Sequence, residues 1–366
     1  MKIDMHYYGT YALARAAGLT IEAAETIAYS SEFVDESSSG DHDVIKDGAH
    51  IVSETTAHHS SQAVFNFFKQ KLDHTNEEQR RIWVPFHFLP AGQGDSFTEK
   101  LICQPNSAIA QKMFSSHLTK AKEDYALELI GIAAHVFADT FAHYDFSGVS
   151  SRWNEIDGES FNLYGSDDPI QEETKSKVFG KFLKIKNIRA GINELAEDSV
   201  GALGHAGAFN YPDIPYLHWS CRRERDDKVL DHNNPQTFLQ ACRELHGRFL
   251  SFAASCSEDY RDLTTRRNFD DIEAKIEEIL SFKADTKGRS DRWKQAVKDD
   301  ELFVGTEPTI KAFDPLDWVD QLKDLLALDT SETVPQSNVY RFYQAARQHR
   351  TLVLRDLLPA QSIVVI

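Results

Sequence analysis

Apolar residues recur at helical spacing along most of the chain, and few segments show the alternation that is typical of a strand. The spacing predicts helices over residues 11–17, 21–33, 60–72, 107–120, 122–143, 168–186, 189–199, 235–256, 268–283, 290–298, 317–328 and 337–358. Thr20 precedes the second helix and is expected to cap it, because a threonine hydroxyl can accept from a backbone amide of the first turn. The predicted fold class is all-α, with many helices.

The segment 122–143 gives the clearest helical pattern. It begins amphipathic and then becomes apolar nearly all round, which is typical of a buried helix. Ser147 and Gly148 are expected to end it. Residues 35–43 are polar and residues 81–94 contain proline and glycine, so both segments are predicted to be loops.

Charge and histidine content divide the chain. It has 366 residues, with 40 Lys+Arg and 57 Asp+Glu, and the net charge of −17 argues against broad binding to nucleic acid. Fourteen of the fifteen histidines lie between His6 and His246. We therefore expect a metal-binding helical core at 1–258 and a polar helical extension at 259–366 that can pack on it. A lid, a partner-binding surface and an oligomer interface all fit the extension.

The remaining composition bears on the compartment. The four cysteines show no metal-binding spacing and are expected to be reduced thiols. No apolar run is long enough to cross a membrane, and the first residues lack the apolar region of a Sec signal. The expected location is the cytoplasm, or outside the cell after export without a Sec signal.

Three ionisable residues punctuate the apolar helix. His135, Asp139 and His143 follow one another at intervals of four, which places them along one helix face. Such groups are costly to bury unless they are paired or bind a cation. The two oxygens of Asp139 can bridge two metal ions, each held by one flanking histidine. A His–Asp hydrogen-bonded network is the alternative.

Further candidate ligands are spread along the sequence. His6 and Asp4 lie at the start of the first helix, Asp35 is expected just past the second, and His87 lies between aromatic residues and prolines. His205 and Asp213 lie in a segment rich in glycine, which lets the backbone approach another group closely.

In these residues the chain resembles the zinc-dependent phospholipase C and P1 nuclease superfamily. That superfamily has a helical core with a three-zinc cluster, held by an early His, an Asp after a helix, a loop His, a His-x3-Asp-x(3–9)-His helix, and a final His followed by an acid. This sequence offers, in the same order, His6, Asp35, His87, His135, Asp139, His143, His205 and Asp213. Residues 6–18 also resemble an uncharacterised bacterial family associated with the superfamily.

The sequence departs from the pattern in several places. The superfamily uses the α-amine of an N-terminal Trp as a ligand, whereas residue 1 here is Met, so that Asp4 could substitute or one ion could be absent. His58 and His59 compete with His87 as the loop ligand. Asp213 follows His205 by eight residues rather than four.

The resemblance implies a phospholipase C-like, metal-dependent phosphoester hydrolase. Its cofactor is two or three Zn²⁺ ions that activate water, with Asp35 as general base and Asp139 as the bridging carboxylate. The expected substrate is a small phosphoester or a phospholipid headgroup, which is compatible with peripheral membrane contact. Nine aromatic residues lie near the ligands in sequence and either line a pocket or belong to the core: Tyr7, Tyr8, Tyr11, Phe86, Phe88, Phe209, Tyr211, Tyr216 and Trp219.

Other functions compete with this one. They are a nuclease or nucleotidase of the same superfamily, an HD-type phosphohydrolase, a carboxylate-bridged di-iron protein, and a helical interaction or effector protein without metal. HD enzymes require an adjacent His-Asp pair, and His42-Asp43 lies in a polar segment rich in serine and glycine that does not suit the role. The Glu-x-x-His motif of di-iron proteins, sought from Glu22 onward, does not fit.

Overall fold

The computed structural model describes residues 1–38, 40–57, 79–165, 204–208, 210–305 and 309–365. Within these ranges the chain is mostly helical. The helices are α1 (Thr10–Ala16), α2 (Ile21–Glu36), α3 (Val84–Phe86), α4 (Phe97–Lys100), α5 (Ala108–Leu118), α6 (Ala126–Ala142), α7 (Asn234–Ser255), α8 (Phe269–Leu280), α9 (Thr286–Lys298), α10 (Leu316–Leu326) and α11 (Asn338–Thr351). π-Helical turns at Asp4–Gly9, Gln79–Trp83 and Leu352–Leu357 lie next to α1, α3 and α11.

Five short strands complete the described structure. β1 (His42–Val44) and β2 (His50–Val52) form an antiparallel pair. β3 (Ile156–Leu163), β4 (His218–Arg223) and β5 (Val229–Asn233) form an antiparallel sheet in the order β3-β4-β5, in which Trp219 pairs with His232. This sheet covers a small apolar cluster that includes Trp219 and Phe88.

The long helices agree with the sequence patterns, and Thr20 accepts a hydrogen bond from the amide of Ala23 as predicted. The loop predicted at 35–43 is wrong at its start, because α2 continues to Glu36 and places Asp35 in its last turn. Residues 79–86 are helical rather than a loop. Pro85 lies in the first turn of α3, where its missing N–H costs no hydrogen bond.

The end of α6 differs from its prediction, and three predicted helices are not described by the structure. α6 ends at Ala142, before the residues expected to end it. The predicted helices at 60–72, 168–186 and 189–199 fall outside the described residues.

The core is built around α6, in which all seventeen residues are buried. α2, α5, α7 and α11 pack against it. The closest approach is at Gly131, where an added Cβ would lie 2.4 Å from the carbonyl oxygen of Ile27 and 2.6 Å from Cβ of Ser30. Glycine therefore lets the backbones of α2 and α6 meet, which brings Asp35 towards the polar face of α6.

The region after residue 258 packs into the same apolar core. Trp293, Trp318, Phe342 and Ile363 are buried there with the residues of α1, α2 and α6. The Tyr29 hydroxyl in α2 donates to the carbonyl oxygen of Asp314 at 2.7 Å. Among the described residues, no helix combines the length and apolar character that crossing a bilayer requires.

Candidate metal centre

One carboxylate lies at the centre of the histidine cluster. Oδ1 of Asp139 lies 2.6 Å from the α-amine of Met1 and 3.1 Å from Nε2 of His6. Oδ2 lies 3.3 Å from Nε2 of His135, and 3.5 Å and 3.6 Å from Nδ1 of His87 and His143. The two oxygens therefore face different sets of nitrogen atoms.

The predicted ligands gather into three groups whose candidate atoms lie within 4.8 Å of one another. The groups are His6 with Asp35 and His135, His87 with His135 and Asp139, and His143 with His205 and Asp213. Eight of the nine predicted ligands are thus brought together. His135 belongs to two groups, and its partner on the same helix face, His143, belongs to the third.

α6 supplies the framework for these groups. His135 and Asp139 lie one turn apart inside it, and His143 is its C-cap residue with φ −97°. Each side chain points to the same face because the spacing of four residues nearly matches one helical turn. The face is otherwise apolar, so these three groups find their polar partners in one another and in neighbouring segments.

Three histidines are oriented by backbone carbonyls on the side away from the cluster. The carbonyl of Ser31 accepts from Nδ1 of His135, that of Thr56 from Nε2 of His87, and that of His87 from Nδ1 of His143, each at 2.8 Å. Because a carbonyl oxygen can only accept, the hydrogen of each neutral ring lies on that outer nitrogen. In the neutral ring the other nitrogen faces the cluster with its lone pair, as in metal-bound histidines. Burial lowers the pKa of His87, but Asp139 and Asp35 outweigh it and raise that pKa, so a metal ion at His87 would displace a proton.

His6 has an unsatisfied ring. Neither of its nitrogens makes a hydrogen bond with a described residue, although Nε2 lies near Asp139. The imidazole stacks on that of His135 with the ring centres 3.8 Å apart. Burial, with the positively charged Met1 amine nearby, lowers the pKa of His6 to about 3. The nitrogen lone pair of this neutral, buried imidazole is therefore available to a metal ion.

The carboxylates differ in exposure. The side chains of Asp139 and Asp213 are 1% and 5% exposed, whereas that of Asp35 is 37% exposed. Burial raises the pKa of Asp139, but the surrounding histidines and the Met1 amine outweigh it and hold that pKa well below its usual range. Asp35 is therefore the carboxylate of the cluster that solvent reaches.

Glycine brings His205 to the cluster. Gly204 has φ +54°, and a Cβ there would lie 2.4 Å from Cζ of Phe88. Phe88 in turn stacks on His143 with ring centres 4.7 Å apart. The close backbone approach that the glycines predicted occurs at Gly204, and the group that it approaches is the ring of Phe88. Burial lowers the pKa of His205 to about 4, so this imidazole is also neutral at neutral pH.

Asp4 lies apart from the three groups. Its carboxylate receives two hydrogen bonds from Arg289 of α9, at 2.7 Å and 3.1 Å, and both side chains are buried. A carboxylate paired in this way with a guanidinium is occupied. The expectation that Asp4 substitutes as a ligand finds no support in this pairing.

Sequence reasoning missed two charged groups at the cluster. The Met1 amine lies between Asp139 and Asp213, 2.6 Å and 3.3 Å from their Oδ1 atoms. Burial lowers its pKa, but those carboxylates more than offset this and raise the pKa to about 10. Lys2 Nζ lies 3.6 Å from Oδ2 of Asp213. The superfamily's N-terminal ligand was the available signal for the amine.

The other candidate residues lie outside the three groups or outside the described residues. His58 and His59 lie outside the described residues. His42 and Asp43 lie on β1, and neither side chain is buried. The aromatic residues expected near the ligands are buried in the core wherever they are described, and Phe209 lies outside that part. All four cysteines are buried and unpaired with one another.

Comparison with known proteins adds a family. The model of DUF6765, a family of unknown function, matches residues 1–357. The chain belongs to the DUF6765 family. No curated protein and no solved structure matches it. The DUF6765 match extends from the N-terminal turn through α11, so it includes every residue of the three groups.

Proposed function

We propose that this chain is a metal-dependent phosphoester hydrolase, phospholipase C-like in substrate, whose three His/Asp groups hold two or three zinc ions. The observation that carries the proposal is the setting of Asp139. A buried carboxylate has nitrogen atoms of four histidines and an amine around its two oxygens. Such a centre favours cations, because carboxylate oxygens and neutral imidazoles are the ligands that zinc takes in proteins.

The chemistry of the donor set fits zinc. His6 is a buried neutral imidazole with no hydrogen bond to a described residue, and three other histidines bond a backbone carbonyl on one side and turn their other nitrogen to the cluster. The alternative of a closed His–Asp network leaves the two nitrogens of His6 unsatisfied, which costs about 1–3 kcal/mol for each buried group. Bound divalent ions act as Lewis acids on a phosphoester and lower the pKa of water.

The three carboxylates would have different roles according to their exposure to solvent. The buried Asp139 would bridge two ions, and Asp213 would serve the group with His143 and His205. Asp35, the exposed carboxylate, can both reach a ligand position and accept a proton from an attacking water molecule. Lys2, 38% exposed beside Asp213, would contribute positive charge near a phosphate oxygen.

Metal analysis of the purified full-length protein tests the proposal. We expect two or three equivalents of Zn²⁺ by mass spectrometry and hydrolysis of a phosphocholine ester analogue by the zinc-loaded protein. Asp139→Asn should lose both metal and activity. The matched control is Asp231→Asn, because Asp231 is exposed and pairs with His218 away from the cluster.

The outcomes separate the candidate functions. Activity on single-stranded DNA without activity on the headgroup analogue would place the protein with the nucleases. Zinc binding without either activity removes the hydrolase assignment. Failure of the wild-type protein to take up zinc removes the metal centre and leaves a helical interaction protein.

A further inference from the structure

Two neighbouring residues of α11, His349 and Arg350, contact the segment that leads into His87 and the segment whose carbonyl bonds the His87 ring. Nε2 of His349 donates to the carbonyl oxygen of Pro85 at 2.8 Å, two residues before His87. Nδ1 of His349 lies 3.0 Å from Nε2 of His117 in α5. Since the Pro85 carbonyl can only accept, His349 carries its hydrogen on Nε2, and His117 must be the donor in the pair. Both imidazoles are buried, so the direction of this hydrogen-bond chain is fixed.

Arg350 contacts both of these segments. Its Nε donates to the carbonyl oxygen of Arg81 at 3.0 Å, and its terminal nitrogens donate to the carbonyl of Thr55 and the carboxylate of Glu54. Arg347, one turn earlier, donates to the other oxygen of Glu54 at 2.7 Å. The residue after Thr55 supplies the carbonyl that accepts from the outer nitrogen of His87.

His87 depends on such external contacts. It is the C-cap of α3, which continues the π-helical turn Gln79–Trp83, and its amide donates to the Trp83 carbonyl oxygen at 3.0 Å. This backbone bond holds the residue but does not fix the rotation of its ring. Its inner nitrogen, Nδ1, lies 3.3 Å from Nε2 of His135 and 3.5 Å from Oδ2 of Asp139. A rotation of the ring would break the bond to the Thr56 carbonyl and turn this lone pair away from the cluster.

We propose that α11 is the positioning element for His87, with His349 and Arg350 as its positioning residues. The inference rests on the proposed metal centre, and it gives the region after residue 258 a role in that centre. His349 fixes the backbone that carries His87, and Arg350 fixes the carbonyl that orients its ring. Removing either contact lowers metal affinity at the group formed by His87, His135 and Asp139, even though neither residue touches that group.

The test uses single variants of the full chain. His349→Phe removes the donor to Pro85, whereas His349→Gln retains an N–H at a similar distance from the backbone. Arg350→Gln removes the contacts to Arg81 and Thr55. Arg355→Gln is the matched control, because Arg355 is exposed and pairs with its neighbour Asp356 at the surface. Zinc affinity and the visible absorption spectrum of the Co²⁺-loaded protein are measured for each variant.

We expect the affinity of the protein for its most weakly bound zinc ion to fall about tenfold in His349→Phe and Arg350→Gln. Substitution of other residues that orient metal ligands has an effect of this size. Their Co²⁺ spectra should differ from that of the wild type. His349→Gln and Arg355→Gln should retain wild-type affinity and spectrum. This rescue by the glutamine distinguishes positioning from mere packing, since both substitutions at 349 disturb the core.

Wild-type zinc affinity and spectrum in folded His349→Phe would overturn the inference. If that variant does not fold, the same result in Arg350→Gln overturns it. If the wild-type protein binds neither zinc nor cobalt, the proposed function fails separately. Crystal structures without metal then decide the inference: an unchanged His87 ring in Arg350→Gln overturns it, and a ring rotated away from the Thr56 carbonyl supports it.

Discussion

The glycine at the crossing of α2 and α6 links packing to the candidate metal centre. Replacing Gly131 with alanine places a Cβ 2.4 Å from the Ile27 carbonyl oxygen, whereas ordinary contacts begin at 3.4 Å. Backbone atoms cannot rotate out of the way as a side chain can, so the two helices must separate by roughly 1 Å at this point. Overpacking of a core costs about 1–3 kcal/mol, and the better helix propensity of alanine returns about 1 kcal/mol at most.

The separation of α2 from α6 would also disturb the histidine cluster. The 2.8 Å hydrogen bond from Nδ1 of His135 to the Ser31 carbonyl joins α6 to α2, one turn beyond Gly131. An added separation of about 1 Å would lengthen it beyond the range of a hydrogen bond. Loss of such an orienting contact lowers metal affinity by about 10- to 100-fold. Gly131→Ala should therefore lose stability and zinc affinity together.

Gly247→Ala is the control for this experiment. Gly247 lies within α7, and an added Cβ there meets no atom within 4 Å. The identical substitution should stabilise the protein by about 0.5–1 kcal/mol through helix propensity and leave zinc binding unchanged. Urea unfolding of the metal-free proteins and zinc titration measure the two effects. Equal stability of Gly131→Ala and the wild type, or equal losses in both variants, would refute the packing argument.

Three further predictions concern pH, a second glycine and metal removal. Burial raises the pKa of Glu128 to about 8, and neither of its oxygens has a hydrogen-bond partner among the described residues. The stability contributed by the neutral carboxyl is therefore complete below pH 4.5 and is lost as the pH rises towards 8, so Glu128→Gln should be more stable than the wild type at pH 8 by on the order of 4 kcal/mol. The same change of unfolding free energy with pH in both proteins, measured by urea unfolding between pH 5 and 8, would contradict this. Gly204→Ala should displace Phe88 and reduce the bound zinc by one ion in mass spectrometry, whereas Gly165→Ala, with φ +77° but no atom of a described residue within 4 Å of the added Cβ, should retain the full complement. Zinc at 100 times its dissociation constant should stabilise the protein by about 2.7 kcal/mol, so that a chelator lowers the melting temperature; a melting temperature that does not respond to chelator would argue against the metal centre.

The sequence predicted which side chains gather in the cluster better than it predicted the groups around them. Intervals of four residues place His135 and Asp139 on one face by helix geometry alone, so no tertiary information was needed. The apolar surroundings in α6 also marked them as buried. By contrast, the backbone amine of Met1 has no side-chain pattern, and the departure from the superfamily's N-terminal Trp directed the prediction to Asp4 instead.

The sheet and the helix ends escaped prediction for physical reasons. β4 and β5 have six and five residues, and the buried Arg223 and His232 stand where the alternation requires an apolar residue. The pairing of β3 with β4 joins segments far apart in sequence, as where Leu163 lies opposite Trp219. The end of α2 was misjudged because polar residues follow Val34, although the helix continues far enough to present Asp35 to the cluster.

Charge connects the composition of the chain with the proposed chemistry. The cluster gathers three carboxylates, Asp35, Asp139 and Asp213, and two cations, the Met1 amine and Lys2, which leaves −3 + 2 = −1. Burial keeps His6 and His205 neutral at neutral pH, whereas the carboxylates raise the pKa of His87 and favour one positive charge there without metal. Within a protein of net charge −17, such a site carries no net positive charge to attract a phosphate anion. Bound divalent ions reverse the local sign, so the proposed substrate and the proposed metal ions are one hypothesis: phosphate recognition here requires the cations.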